Sequence, residues 1–474
     1  MSPDLATTRD LEDENVPDLT TPRRVHLVGA GGAGMGAIAA VLNAMGHHVT
    51  GSDLKDGPIS ERLRAAGISV SVGHDAVNIG DTELVAISTA IPDHNPEVVA
   101  AREAGIPVLR RSDILPAIAA QRRTVVVSGT HGKTTTSSML ALVLVEAEMN
   151  PSFIIGGDVN EIGSGAVWDD GEWFVIEGDE SDRTFLSLGG ELAIVTNVEP
   201  DHLESYDNDP ALLVEAFEEF ASQAQMRVMC ADDAGAAALA ATTDATTYGT
   251  SDDADYQMVD IEPHRSSIGF TVRHDGVDLA RIELPTPGLH NARNATAAVV
   301  AGLLLGASAD AATRALGRFG GVARRFEFRG EIDGITFVDD YAHLPTEVEA
   351  AIEAAGAGGW NRVVCVFQPH RYSRTAALWQ DFGHSFDGVD ELVLTDIYSS
   401  GETPRPGVTG RLLVDAVLDA NPSASVAWMP RLDDVANWLT THLRPGDLCI
   451  TLGAGDLTAM PDQVIGRLRT PGIL

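Results

Sequence analysis

The chain has 474 residues, with 69 acidic and 32 basic side chains and a net charge of −37. At about one domain per 150 residues it has room for three domains, and 44% hydrophobic residues exclude a wholly disordered chain. The acidity argues against a general nucleic-acid binder or a protein held on anionic membranes, and apolar runs such as 297–307 are too short to span a bilayer.

The first twenty residues carry Asp4, Asp10, Glu12, Asp13, Glu14 and Asp18 against one base, Arg9. A secretory leader needs a basic start and an apolar stretch, so residues 1–22 are expected to form a disordered acidic arm. Cys230, Cys365 and Cys449 are odd in number and sit in strand-like apolar runs. They are expected to be buried and reduced, which fits a cytoplasmic protein.

From residue 23 onward, strand-like runs alternate with Ala-rich helical stretches, the pattern of parallel α/β sheets. Strands are expected at 24–28, 48–50, 84–88 and 108–109. The run 24–28 feeds Gly29-Ala30-Gly31-Gly32-Ala33-Gly34, a spacing that lets a pyrophosphate approach the backbone at a helix start. Asp53 ends the next strand, where a ribose-binding acid belongs. The signal alone admits NAD, FAD or a UDP-sugar, or a ligand-free turn.

A second unit opens with the strand 124–128 and the turn Gly129-Thr130-His131-Gly132-Lys133-Thr134-Thr135-Thr136. Such a turn cradles phosphates, its lysine reaching the β- and γ-phosphates and the next hydroxyl a Mg²⁺ ion. Val127 stands where the usual eight-residue loop has its first glycine, so this loop is shorter. Strands are expected at 174–177, 192–197 and 227–230, two of them ending in acidic clusters. These are Glu177-Gly-Asp179-Glu180-Ser-Asp182 and Glu199-Pro-Asp201-His202. A carboxylate and an imidazole beside a phosphate loop suit a Mg²⁺ ion carried mainly by phosphate oxygens. Residues 231–255 read as helix plus polar loop, 285–288 as a turn, and 291–305 as a helix capped at its start, by Asn291 in the simplest reading. After the joint 320–325, a third unit is expected to hold strands at 335–339, 362–367, 392–396, 426–429 and 448–452.

Together these residues resemble the ATP-dependent Mur ligases, and within them the branch that adds alanine. The resemblance runs from about residue 23 to near 460 and rests on Gly29–Met35, Gly129–Thr136, Ser88, Ile91, Asn95-Pro-Glu97, Gly288-Leu-His290-Asn291-Ala-Arg-Asn294, Arg324-Arg325-Phe326, Asp339-Asp340-Tyr341-Ala342-His343 and Gln368-Pro-His370-Arg371-Tyr372-Ser-Arg374. It implies an α/β protein of three domains. These are a Rossmann-like UDP-sugar domain (23–122), a P-loop ATPase-like domain with a mixed or parallel sheet (123–325), and a Rossmann-like amino-acid domain (326–474). It implies ATP-dependent ligation of L-alanine to the lactoyl carboxylate of UDP-N-acetylmuramate through an acyl phosphate, with ATP as co-substrate and Mg²⁺. No nucleic-acid partner or membrane insertion is expected, and the chain is expected to be a monomer or homodimer.

The resemblance also implies roles. Gly29, Gly31, Gly32, Ala33, Gly34, Met35, Asp53 and Ser88 would meet the UDP-sugar. Gly129, Thr130, His131, Gly132, Lys133, Thr134, Thr135, Asn291, Asn294, Arg325 and Asp340 would meet ATP. Thr134, Glu177 and His202 would ligate metal, and Lys133, Glu177, His202 and Arg325 would serve catalysis. Tyr341, His343, His370, Arg371 and Arg374 would hold the amino acid. Two arginines three apart share one helix face, which also suits a carboxylate. The sequence departs from the pattern at Leu344, where a second histidine is common, and at Ala342, where glycine is frequent; Pro200 can also shift its local backbone. Three other readings compete. A sister ligase adds a recycled peptide, but more often has Tyr between the acids Glu180 and Asp182. A dehydrogenase would leave Gly129–Thr136 unexplained. A catalytically dead regulator would not keep Lys133, Thr134, Glu177 and His202.

Overall fold

The computed structural model describes residues 17–469 except Thr89, His202 and Ala323. Most of the expected acidic arm therefore lies outside the described residues. Leu19, near its end, is buried in the core, and Asp18 O accepts a hydrogen bond from Arg23 Nε.

Three sheets follow one another. The first has five parallel strands in the order Ser69–Val72, His48–Asp53, Arg24–Val28, Leu84–Ile87, Val108–Arg110. Its central strand Arg24–Val28 has four buried residues out of five, as a strand covered by helices on both faces must. The order reverses beside this strand, so the crevice at the strand ends lies above Gly29–Gly34.

The second sheet has ten strands. Its parallel middle runs Tyr256–Pro263, Thr246–Gly249, Met226–Cys230, Leu192–Val195, Arg123–Ser128, Trp173–Glu177, Ser152–Val159. Antiparallel strands Ile268–His274 and Val277–Leu284 extend one edge, and Ser164–Val167 closes the other. Helices Lys133–Glu146 and Leu289–Leu305 pack together on it. The third sheet runs Glu327–Ile332, Ile335–Asp340, Asp447–Leu452, Arg362–Phe367, Glu391–Leu394, Val426–Trp428, parallel except for its first strand.

One continuous hydrophobic cluster runs through the first two domains, whereas the third has its own clusters on the two faces of its sheet. The first two domains are thus one packed body. The third is tied to it by the 320–326 joint and by polar contacts.

Below the first glycine loop lies a buried polar hub. Glu97 is fully buried; its carboxylate accepts from Ser52 Oγ at 2.6 Å and Asn78 Nδ2 at 2.5 Å, and His74 Nδ1 lies at 3.1 Å. Burial opposes its charge, but His26, Ser52 and Asn78 outweigh that and hold its pKa at about 2. Ser52 O in turn accepts Gly29 N and Ala30 N, so the hub carries the base of the loop.

The basic residues are almost all arginine. The only two lysines of the chain are Lys55, which is exposed beside Asp53, and Lys133, which is largely enclosed.

Candidate functional site

The first loop is braced from beneath. Asp53 Oδ2 accepts Gly31 N at 2.9 Å, so one oxygen of the expected ribose acid also holds the loop. Gly29 has φ +87°, and a side chain there would meet Ser88 Oγ, which places Ser88 at the loop. Gly32 caps the helix Ala33–Ala44 by its backbone alone, with its N–H groups facing the crevice. The Met35 side chain is buried in the core, on the same stripe of that helix as Ile38, Ala39 and Leu42. Arg111, which the sequence reading passed over, lies beside Gly34.

The second loop, Gly129–Thr134, is held more tightly. Asn197 Oδ1 accepts His131 N at 2.8 Å and its Nδ2 donates to His131 O at 3.1 Å. Thr130 Oγ1 is bonded to Glu199 N at 2.9 Å. Gly132 has φ +79°, and a Cβ there would run into Asn294 Oδ1, so the helix bearing Asn294 closes directly on the loop. Thr135, behind the loop, is buried.

Lys133 Nζ donates to Gly129 O at 2.6 Å, to Thr130 O at 3.2 Å and to Glu180 Oε2 at 2.8 Å. Burial opposes its charge, but Glu180, Asp179 and Glu177 outweigh it and raise its pKa. The ammonium is therefore kept charged at the loop. Thr134 Oγ1 donates to Glu177 Oε2 at 3.1 Å, and Gly156 N donates to Oε1 at 2.6 Å. Burial raises the Glu177 pKa, an environment in which a bound cation would favour the carboxylate. A hydroxyl and a carboxylate are hard oxygen donors of the kind Mg²⁺ takes, with phosphate oxygens and water completing its shell. Among the described residues no group of three His, Cys, Asp or Glu forms a cage. His202, expected as a metal ligand, lies outside the described residues.

A cavity of about 340 Å³ opens beside this loop, between the second and third domains. Its wall includes Gly132, Tyr248, His290, Asn291, Asn294, Arg325 and Asp340. Asn291 is not the helix cap that the sequence suggested. The helix starts at Leu289 with Gly288 as its cap, and Asn291 Nδ2 donates to Pro287 O at 2.7 Å. Burial pushes the Asp340 carboxyl up to about 6; it accepts Phe326 N and Ala342 N, which fastens the joint to the third sheet. The Arg324 and Arg325 guanidinium groups both lie over the Tyr341 ring.

The joint's far side carries the expected amino-acid residues. Tyr341 and His343 meet edge to face with ring centroids 5.3 Å apart, and His343 and His370 at 5.6 Å. Tyr398, which sequence reasoning missed, stacks on His370 at 5.8 Å. Burial pushes His343 and His370 down to about 4, so both rings are neutral at pH 7. Arg374 reaches His370 Nδ1 at 3.1 Å and lies 3.8 Å from Asp201 of the second domain. Arg371 adopts φ +69°, and its Nε is buried with no hydrogen-bond partner among the described residues. Leu344 is buried, and its N–H donates to Glu347.

The two halves meet at His131. Its Nδ1 is 3.1 Å from Glu347 Oε1, and its Nε2 is 3.4 Å from Glu199 Oε2 and 3.2 Å from Thr346 Oγ1. Burial would lower its pKa, but Glu347 and Glu199 outweigh that and raise it to about 9. Against an unfolded value near 6.5, this imidazolium stabilises the folded form fully below about pH 6.5 and loses that contribution as pH rises through about 9. Titration of the imidazole by NMR, assigned by its disappearance in His131→Asn, is expected to show a midpoint near 9. A midpoint below 7 would mean that the clamp is absent in solution.

Comparison with known proteins follows this geometry domain by domain. Residues 24–123 match the model described as "Mur ligase family, catalytic domain", 127–302 the "Mur ligase middle domain", and 324–455 the "Mur ligase, glutamate ligase domain". The chain is 44% identical to a UDP-N-acetylmuramate--L-alanine ligase of Saccharopolyspora erythraea, over 96% of each chain. It is 41% identical to the protein of that name from Pelotomaculum thermopropionicum, over 94% of this chain and 98% of the other. Its structure is similar to that of a UDP-N-acetylmuramate-alanine ligase from Thermotoga maritima, with TM-score 0.80, 28% identity and coverage of 94% and 99%. Three consecutive domain matches and full-length likeness, on a chain with a glycine loop at the start of each of its first two domains, make it a member of the Mur ligase family.

Proposed function

We infer that the protein is an ATP-dependent ligase that joins L-alanine to the lactoyl carboxylate of UDP-N-acetylmuramate, a step of peptidoglycan precursor synthesis. The full-length likeness to alanine ligases supports this reading, and one structural observation carries it: a charged lysine on the phosphate loop, an oxygen pair at Thr134 and Glu177 beside it, and a His131–Glu347 contact that joins this loop to the segment bearing His343. A dehydrogenase would leave two of these three unused. The recycled-peptide alternative is not favoured by the relatives' names.

The reaction has two steps. The muramoyl carboxylate attacks the γ-phosphorus of ATP, the bond to ADP breaks, and an acyl phosphate forms. The alanine amine then attacks the acyl carbon, phosphate leaves, and the nitrogen loses a proton. Both reactants of the first step are anionic, so the chief task is to offset repulsion. Lys133 supplies a fixed positive charge, and Arg325 adds a second from the joint. Thr134, Glu177 and His202 would hold Mg²⁺, which would further neutralise the phosphates. Gly29–Gly34 and Ser88 would take the UDP part, Asn291 and Asn294 would help bind the ATP nucleotide, and Asp340 would sit near its ribose. Closure of the third domain keeps water from the acyl phosphate. The distant surface acids matter little at a Debye length of about 8 Å. We assign the protein to the cytoplasm, where its nucleotide substrates and reduced, buried cysteines belong.

The test is ADP release with UDP-N-acetylmuramate, ATP, Mg²⁺ and L-alanine, omitting one at a time. A requirement for all four is the expected result. Release only when the recycled tripeptide replaces alanine would move the protein to the sister ligase. Within the alanine site, Arg374→Ala is expected to raise the KM for alanine about tenfold, the scale of one charge-assisted contact. A change confined to the KM for ATP would remove Arg374 from that site.

A further inference from the structure

Glu347 sits at the third residue of helix Pro345–Gly356, and its side chain is only 11% exposed. Its two oxygens face different parts of the molecule. Oε1 lies 3.1 Å from His131 Nδ1, on the phosphate loop of the second domain, and 3.9 Å from Arg325 Nη1 in the joint. Oε2 accepts His343 N at 2.9 Å and Leu344 N at 3.2 Å, and lies 3.2 Å from His343 Nδ1. Burial opposes ionisation, but His343, His131 and Arg325 together keep the carboxyl well below its usual range. Next to it, Thr346 Oγ1 donates to Glu199 Oε2 at 2.9 Å, which fixes the same helix start to the second domain.

We propose that Glu347 is a positioning residue that couples the two half-sites: one carboxylate holds the phosphate loop, the joint arginine and the His343 segment in register. This rests on the function inferred above. The third domain has its own hydrophobic cores, so polar contacts of this kind decide how it seats on the other two. Moving it away breaks both Oε1 contacts and leaves His131 with Glu199 alone. Seating it brings the His343 backbone and the His131 loop onto the same group. The acyl phosphate is then formed only where the amine is already directed.

Glu347→Gln keeps the shape and one acceptor oxygen but removes the charge. Hydrogen exchange of the substrate-free protein is expected to quicken about tenfold at amides 129–132 and 341–344 together. This arm does not depend on the chemistry assigned. Faster exchange at 341–344 alone would overturn the coupling. With substrates, the variant is expected to raise the KM for alanine about tenfold and to release more phosphate than amide product, because acyl phosphate escapes to water. One phosphate per amide with unchanged KM would overturn the proposal. A wild-type chain that releases no ADP would instead count against the inferred function. The double variant with His131→Asn is expected to lose no more than the worse single variant, since both act through one contact; additive losses would overturn it.

Discussion

Lys133→Ala is expected to lower turnover by about 10²–10³-fold, the scale for removing one preorganised charge donor from a low-dielectric site. The expectation follows from how the ammonium is held. Two loop carbonyls and Glu180 fix it at the mouth of the Gly129–Thr134 turn, so little reorganisation is needed when phosphates arrive. In the variant, Glu180 loses its counter-charge inside the protein, which costs stability as well. The pair Lys133→Ala with Glu180→Gln separates the two effects. Turnover is expected to stay low while the melting temperature recovers. Steady-state ADP release and a melting curve suffice, and a loss under about threefold in the single variant would refute the assigned role.

The second large effect is one of stability. Glu97→Ala is expected to cost the first domain about 3–5 kcal/mol, the range for breaking a buried charged network by removing one member. Ser52, Asn78 and His74 would lose their common acceptor at once. The same group sets acid sensitivity. Its pKa is about 2 in the fold against an ordinary value of 4.5, so its contribution is complete above about pH 4.5 and is lost as pH falls through about 2. Amide exchange in strand Arg24–Val28 reads this directly. Protection that falls by less than about 1 kcal/mol would show that the hub is replaceable.

Much of the fold could be read from the sequence because parallel strands covered on both faces are continuous apolar runs. Thr124–Ser128 and Leu448–Leu452 needed no further context. The hairpins across Tyr256–Leu284 were not read, since their strands mix charged and apolar residues at a sheet edge. Thr246–Gly249 reads as loop in the sequence because it is short and polar, yet it pairs with Met226–Cys230. In the site, both glycine loops announced themselves by spacing, as did the adjacency of Lys133 and Thr134. Glu347 did not, because 216 residues separate it from His131. Glu97 entered only as part of the Asn95-Pro-Glu97 motif; nothing local shows that two strands and the segment through His74 and Asn78 bury it.

The scarcity of lysine has a practical consequence. Lys133 is charged and enclosed, so its amine is a poor nucleophile in the native fold, whereas Lys55 stands free at the rim of the first crevice. An amine-directed dye would find a single side chain on the folded surface. A lysine-specific protease would likewise meet one accessible bond, beside the Asp53 strand end. The native chain thus carries a built-in address for a reporter next to its first glycine loop, without any engineered residue.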